Sequence, residues 1–478
     1  PMALAPLGWF LFSGARRHDP ADPEWPDRDR FILSCGHASM LQYSLLHLSG
    51  YALTLDDIKN FRQWESLTPG HPESHLTPGV ETTTGPLGQG IGNAVGMAMA
   101  ERYLAKRFNR PGHEIVDHRT WVIASDGDIM EGVAAEAASI AGHLGLGKLI
   151  VFWDDNRITI DGSTDLSFTE DVVKRFESYG WHTDVVEDGE DLAALRAAAE
   201  RAAATSDRPS FIRVRTIIGY PAPNKKDTSG AHGAPLGDEE IAATKEVMGW
   251  PKEPFYVPQE LSAATEAIVE RGAASHQDWK QRLKAYRVAF PAEAKELDAA
   301  LAGELPAGWD AELPQFEPSE KGLATRKASG EVLNALAKKI PELVGGSADL
   351  AGSNNSAMKG FASFNSAEGV PRNVDWGVRE HAMGSAINGM ALHGGVIPYA
   401  ATFLIFSDYM RPALRLAALM ELRTRYIFTH DSIGLGEDGP THQPVEQLSS
   451  LRAIPGFAVF RPGDANETRE CWKAALDW

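Results

Sequence analysis

The sequence predicts an α/β protein made of two doubly wound parallel-sheet domains. Short apolar runs with β-branched residues alternate with Ala-rich helical stretches, and two of those runs end in carboxylate and amide clusters. The rhythm then stops at a proline-bearing segment and restarts beyond it. Residues 121–125 (WVIAS) and 149–153 (LIVFW) have the composition of buried parallel strands. Between them, residues 131–144 are Ala-rich with apolar residues at helical spacing, so strand, loop, helix, strand is the simplest reading. Residues 191–205 (DLAALRAAAERAAAT) are strongly helical, and 260–302 are charged and helical in pattern. Residues 305–322 (LPAGWDAELPQFEPSEKG) contain three prolines and no periodicity, which suits a linker at 305–321 between domains 1–304 and 322–478. The second domain reads as helix 327–339, strand ELVGGSAD, helix 380–392, strand VIPYAATF, helix 411–421, strand RYIFTHD and strand FAVFRP.

At 478 residues the chain has room for two or three domains. Its net charge of −19 argues against a general binder of nucleic acid or anionic membrane. No apolar run approaches the ~18 residues of a membrane span. Cys35 and Cys471 are too few and too distant for a disulfide framework, so a reducing, cytoplasmic setting is expected. The opening PMALAPLGWFLF lacks a basic start and does not read as a signal peptide.

The stretch SDGDIMEGVAAEAASIAGHLGLGKLIVFWDDN, from Ser125 to Asn156, carries the first chemical signal. Asp126 and Asn156 fall just beyond the carboxyl ends of two predicted parallel strands, where ligands of such sheets bind. Gly127 allows backbone to approach a phosphate. A hard cation such as Mg²⁺ or Ca²⁺ takes oxygen ligands, which Asp126, the Asn156 amide and a backbone carbonyl near Ile158 can supply. DG and DN are also ordinary turn formers, so the spacing alone leaves both readings open.

The second domain has its own candidates. Glu380, in DWGVREHAMG, stands where the pattern turns helical, as a site carboxylate or as a helix-dipole partner. Phe403, Phe406 and Tyr409 recur at three-residue intervals, on one face of a turn or helix, as core or as a cofactor wall. His430, Asp438 and His442 lie in a glycine-rich loop, THDSIGLGEDGPTHQP, after a strand; a solvated connector is the alternative.

Together with SCGHASML, TPGHPE, GVETTTGPLGQGIGNAVGMA, SGAHGAPLG, ATRKASG, GGSADLAGSN, VREHAMG, TFLIFSDY and GEDGPTHQP, this stretch makes the chain resemble the transketolase family along essentially its whole length. The resemblance implies two domains of thiamin diphosphate-binding type, the first for the diphosphate and the second for the pyrimidine. It implies that Asp126, Asn156 and the Ile158 carbonyl hold Mg²⁺ or Ca²⁺, that His37, His232 and Gly127 contact the diphosphate, and that Gly85 and Leu87 line the cofactor. Glu380 would bond the aminopyrimidine ring nitrogen and share a proton with it, with Phe403, Phe406 and Tyr409 packed on the ring. In the family this second domain comes from the partner subunit, so a homodimer with interfacial active sites is implied.

The same resemblance puts His37, His71, His232 and His442 around the reacting carbonyl and hydroxyls, and Asp438 on an acceptor hydroxyl. Arg326, Ser353 and His430 would bind the sugar phosphate. The implied reaction is that of the pentose phosphate pathway. A two-carbon ketol unit passes from a ketose phosphate such as xylulose 5-phosphate to an aldose phosphate such as ribose 5-phosphate or erythrose 4-phosphate, through a cofactor carbanion and enamine. The family's glycine before the metal aspartate is Ser125 here, small enough to keep the turn. Relative to the family pattern the chain is expected to lack a GHP segment before Pro1 and, after Trp478, a strand and the C-terminal domain. Dihydroxyacetone synthase and 1-deoxyxylulose-5-phosphate synthase share the cofactor machinery and stand as alternatives, as does a catalytically impaired cofactor-binding fragment.

Overall fold

The computed structural model describes residues 1–366 and 369–478. The chain forms two compact units: unit 1 is Pro1–Ala98 with Asp117–Lys284, and unit 2 is Met99–Val116 with Ala285–Trp478.

Unit 1 is built on strands β1 (Arg30–Leu33), β2 (Thr120–Ser125), β3 (Leu149–Asp155), β4 (His182–Val186) and β5 (Ser210–Arg215). They form one five-stranded sheet in the order β1-β2-β3-β5-β4, with every pair parallel. All residues of β1, β2 and β3 are buried, which explains why these strands read as continuous apolar runs rather than alternating ones. Ile123, Phe152 and Ile212 lie in the core beneath the helices. A short helix, Asp126–Met130, precedes the expected one at Gly132–Leu144, which stops at Gly145 in the left-handed conformation (φ 62°). The Ala-rich helix Leu192–Ala204 starts where the Asp191 carboxylate accepts from the amides of Ala193 and Ala194.

Unit 2 repeats the plan with β6 (Leu343–Ser347), β7 (Ala362–Ser363), β8 (Pro371–Asn373), β9 (Ile397–Phe403) and β10 (Arg425–Thr429), in the order β10-β9-β6-β8-β7, again all parallel. Val332, Leu336, Leu343, Tyr399 and Trp472 share its core. Residues 305–321 contain no helix or strand, yet Leu305, Trp309, Leu313 and Phe316 pack on that core.

Two expectations need correction. FAVFRP, at 457–462, is not a strand; it runs along the groove beside β10 without ladder bonds. A β-rich composition makes a strand only when the segment comes within hydrogen-bonding reach of an edge, and here it forms no ladder with β10, the outer strand of its sheet. The helix expected from 411 begins earlier, at Ser407–Leu419, and carries Pro412 inside it. Among the described residues no helix is long and apolar enough to cross a membrane.

Candidate active site

In parallel sheets all carboxyl ends fall on one edge, and every strand-borne candidate lies there. In unit 1, His37 follows β1, Asp126 and Gly127 follow β2, Asn156 and Ile158 follow β3, and the loop after β5 leads to His232. The loop before the helix Gln89–Phe108 adds His71, Gly85 and Leu87.

Close approaches knit these segments together. A Cβ on Gly36 would come within 2.6 Å of the Gly85 nitrogen, and one on Gly127 within 2.8 Å of Leu87 Cδ1. Gly85 has φ 141°, a conformation that disfavours side chains, and its missing Cβ leaves the His71 ring 3.2 Å from that position. The rings of His37 and His232 stack at 5.1 Å and 17°. Burial, with His232 and His71 adding, lowers the His37 pKa from 6.5 to about 4, so its imidazole is neutral at ordinary pH. Two buried atoms in this cluster have no hydrogen-bond partner, His232 Nδ1 and Thr84 Oγ1. Orphaned polar atoms beside a cradle of glycines are what a phosphate-bearing ligand would satisfy.

The donor set for a cation is all oxygen. Asp126 is buried; its Oδ1 accepts from Trp153 Nε1 (3.0 Å) and its Oδ2 from the Arg157 amide (3.1 Å), so carboxylate and Asn156 share one turn. Asn156 donates from Nδ2 to Asp154 Oδ2 (2.8 Å), and its Oδ1 accepts from the Ile158 amide (3.0 Å). Asp154 also accepts from the Thr216 hydroxyl. With its nitrogen committed to Asp154, the Asn156 amide is held in one orientation, its oxygen toward the Ile158 amide. Burial, then the Asp154 charge, pushes the Asp126 pKa up to about 7, an environment a bound cation would reverse. These residues fit a hard divalent ion.

In unit 2, Glu380 opens the helix Glu380–His393 and is buried, its Oε1 accepting from Thr402 Oγ1 (3.1 Å), the residue before Phe403. The aromatic triplet, expected on one face of a turn or helix, starts instead at a strand end. Phe403 ends β9, Phe406 sits in the turn Leu404–Phe406, and Tyr409 is in the helix that follows. The rings nevertheless form a run, Phe403 to Phe406 at 6.1 Å and Phe406 to Tyr409 at 5.9 Å, with Tyr409 66% exposed. His430 lies over Phe403 at 3.8 Å, and His442 meets Phe406 edge-on at 5.4 Å. Arg326 Nη1 reaches His430 Nε2 (3.2 Å) and the Ser353 carbonyl (3.3 Å). A guanidinium only donates, so His430 Nε2 accepts and its Nδ1 proton faces Thr429 Oγ1 (2.9 Å). Burial first, then Arg326, lowers the His430 pKa, while Asp438 pulls it up. An open groove of about 1630 Å³ is lined by Arg326, Ser353, Phe403, His430, Asp438 and His442 among others.

Sequence reasoning missed the residues that hold these candidates in place: Asp154 and Thr216 behind Asn156, and Asn354, whose Nδ2 bonds the Thr402 carbonyl (3.1 Å) and Thr429 Oγ1 (2.7 Å). It also missed Asp128, although Ser125 and Asp128 stand at capping-box spacing and could have been found that way.

The match to known proteins spans both units. Residues 1–306 match the transketolase thiamine diphosphate binding domain, and 321–478 the transketolase pyrimidine binding domain. A transketolase of Nostoc sp. is 56% identical over 480 residues, covering 100% of this chain and 72% of that relative. Among solved structures, a transketolase from Leishmania mexicana superposes with a TM-score of 0.97 at 48% identity, covering 100% of this chain and 71% of its own. A Pichia stipitis transketolase in complex with sedoheptulose 7-phosphate does so with a TM-score of 0.97 at 46% identity, with the same coverage of 100% and 71%. The chain belongs to the transketolase family of transferases.

Proposed function

We propose that the chain transfers a two-carbon ketol unit between sugar phosphates, with thiamin diphosphate and Mg²⁺ or Ca²⁺ held in unit 1 and the pyrimidine and sugar contacts supplied by unit 2. The observation that carries this reading is the unit 1 cluster, where an oxygen-only donor pair, a glycine cradle and two unsatisfied buried polar atoms converge. Asp126, Asn156 and the Ile158 carbonyl are the cation ligands. His37, His232 and Gly127 contact the diphosphate, and Gly85 and Leu87 line the cofactor. Thiamin diphosphate, when bound, supplies the electron sink that lets a carbon–carbon bond beside a carbonyl break and re-form.

The chain's own groups do the rest. Glu380 bonds the pyrimidine nitrogen, and Phe403, Phe406 and Tyr409 give the ring an apolar face that excludes water. His37, neutral at pH 7, together with His71, His232 and His442, exchanges protons with substrate carbonyl and hydroxyls. Arg326, Ser353 and His430 take the sugar phosphate, Arg326 by its planar fork. Asp438 accepts from an acceptor hydroxyl. That the Pichia stipitis relative was solved with a ketose phosphate supports this substrate class.

The two halves belong to different subunits of a homodimer, unit 1 of one copy working with unit 2 of its partner. The free Cys35 and Cys471 fit a cytoplasmic setting. Incubation with β-hydroxypyruvate and ribose 5-phosphate, with cofactor and Mg²⁺, tests the activity. A seven-carbon ketose phosphate is expected, and no product at saturating cofactor would overturn the reading.

A further inference from the structure

Asp128 stands two residues after Asp126 and is fully buried, with 0% exposure. Its Oδ1 accepts from Ser34 Oγ (2.6 Å) and the Gly88 amide (2.8 Å), and its Oδ2 from the Ser125 amide (2.9 Å) and Ser125 Oγ (3.1 Å). The donors come from three separate segments. Ser34 stands three residues before His37, Gly88 directly after Leu87, and Ser125 directly before Asp126. Each oxygen meets a backbone N–H, which can only donate, so both sides of the group must accept. The segments are tightly apposed here: a Cβ on Gly90 would lie 2.7 Å from Ser34 Cα.

We propose that Asp128 is a positioning residue that holds the three cofactor-binding loops of unit 1 in register. The inference rests on the cofactor reading above. A buried carboxylate adds negative charge near a diphosphate, a cost that this loop-tying role offsets. Asp29 provides an internal control, because it is the same device at the opposite end of the same strands. It is buried and accepts from the Arg17 amide (3.0 Å), the Arg119 amide (2.8 Å) and Trp121 Nε1 (3.0 Å), and it holds no cofactor loop.

The test is calorimetric titration of thiamin diphosphate at saturating Mg²⁺, with the urea midpoint of the cofactor-free chain measured alongside. Asp128→Asn sets an amide NH₂ against an N–H and is expected to raise Kd about 10- to 100-fold, as loss of supporting groups around a metal site does. Asp29→Asn is expected to lower the urea midpoint while leaving Kd at the unsubstituted value. Ser34→Ala removes one of the four bonds without changing charge and should raise Kd in the same direction by less. It keeps the test open if Asp128→Asn does not fold. An unchanged Kd in Asp128→Asn or, if that chain is unfolded, in Ser34→Ala overturns the proposal, as does an equal rise in Asp29→Asn. Failure of the unsubstituted chain to bind would instead overturn the cofactor reading and this inference with it.

Discussion

The candidates of unit 1 are held by backbone close approach and by buried acceptors such as Asp154, whereas those of unit 2 lie on stacked rings around Phe403. The difference follows from what each half would meet. A diphosphate and its cation need oxygen ligands and unencumbered N–H groups at fixed positions, which glycines and a locked amide provide. A planar heterocycle needs an apolar wall and one well-placed carboxylate. Loss of the cation ligand in unit 1 should therefore abolish cofactor binding, and loss of the carboxylate in unit 2 should lower turnover more than binding.

The largest effect is expected from Asp126→Ala. Calorimetry should find no Mg²⁺-dependent cofactor binding, and transfer from β-hydroxypyruvate to ribose 5-phosphate should fall by about 10⁴-fold. Equal binding by this variant would break the assignment of the cation to unit 1. Glu380→Ala should lower kcat by about 10²- to 10³-fold at saturating cofactor while the cofactor still binds. If kcat is retained, the carboxylate beside Thr402 is only structural. Arg326→Ala should raise KM for ribose 5-phosphate by about 10- to 100-fold, the value of a lost charge-assisted contact. KM for β-hydroxypyruvate, which has no phosphate, should not move; a parallel rise in both would remove Arg326 from phosphate recognition.

The smallest effect concerns pH. The folded-state pKa of His37 lies near 4, below its ordinary 6.5, so the unfolded chain binds the extra proton between those values. Its contribution to stability is complete above pH 6.5 and is lost as pH falls from there toward 4. His37→Asn should therefore lose less of its urea midpoint than the unsubstituted chain between about pH 7 and pH 5. Equal losses would mean that His37 is not buried as described.

The buried parallel strands were legible because burial on both faces leaves an uninterrupted apolar run, as in TWVIAS and LIVFWDD. The same logic misfired at 457–462, where composition favours a strand but no neighbouring edge pairs with it. Composition records what a segment can do, and pairing depends on what lies beside it. At the site, Asp126, Asn156 and Glu380 could be read because each follows a strand or opens a helix. The aromatic triplet was expected on one face of a turn or helix; it begins one step earlier, at a strand end, since a spacing of three does not distinguish a single turn or helix from a path through strand end, turn and helix. Asp154, Thr216 and Asn354 were not legible at all. They act by bonding residues distant in sequence or through an amide orientation, and no local pattern encodes either.

The proposed division of the active site between copies is tested most directly by co-expressing two differently tagged chains, one Asp126→Ala and one Glu380→Ala, and assaying the mixed dimer. If each site joins unit 1 of one copy to unit 2 of the other, every mixed dimer has one site with both defects and one with neither. The mixed dimer, isolated through both tags, then has about half of the unsubstituted specific activity, one of its two sites being intact. If each site forms within a single chain, every site carries one defect, and activity no higher than that of the separate variants would contradict the account.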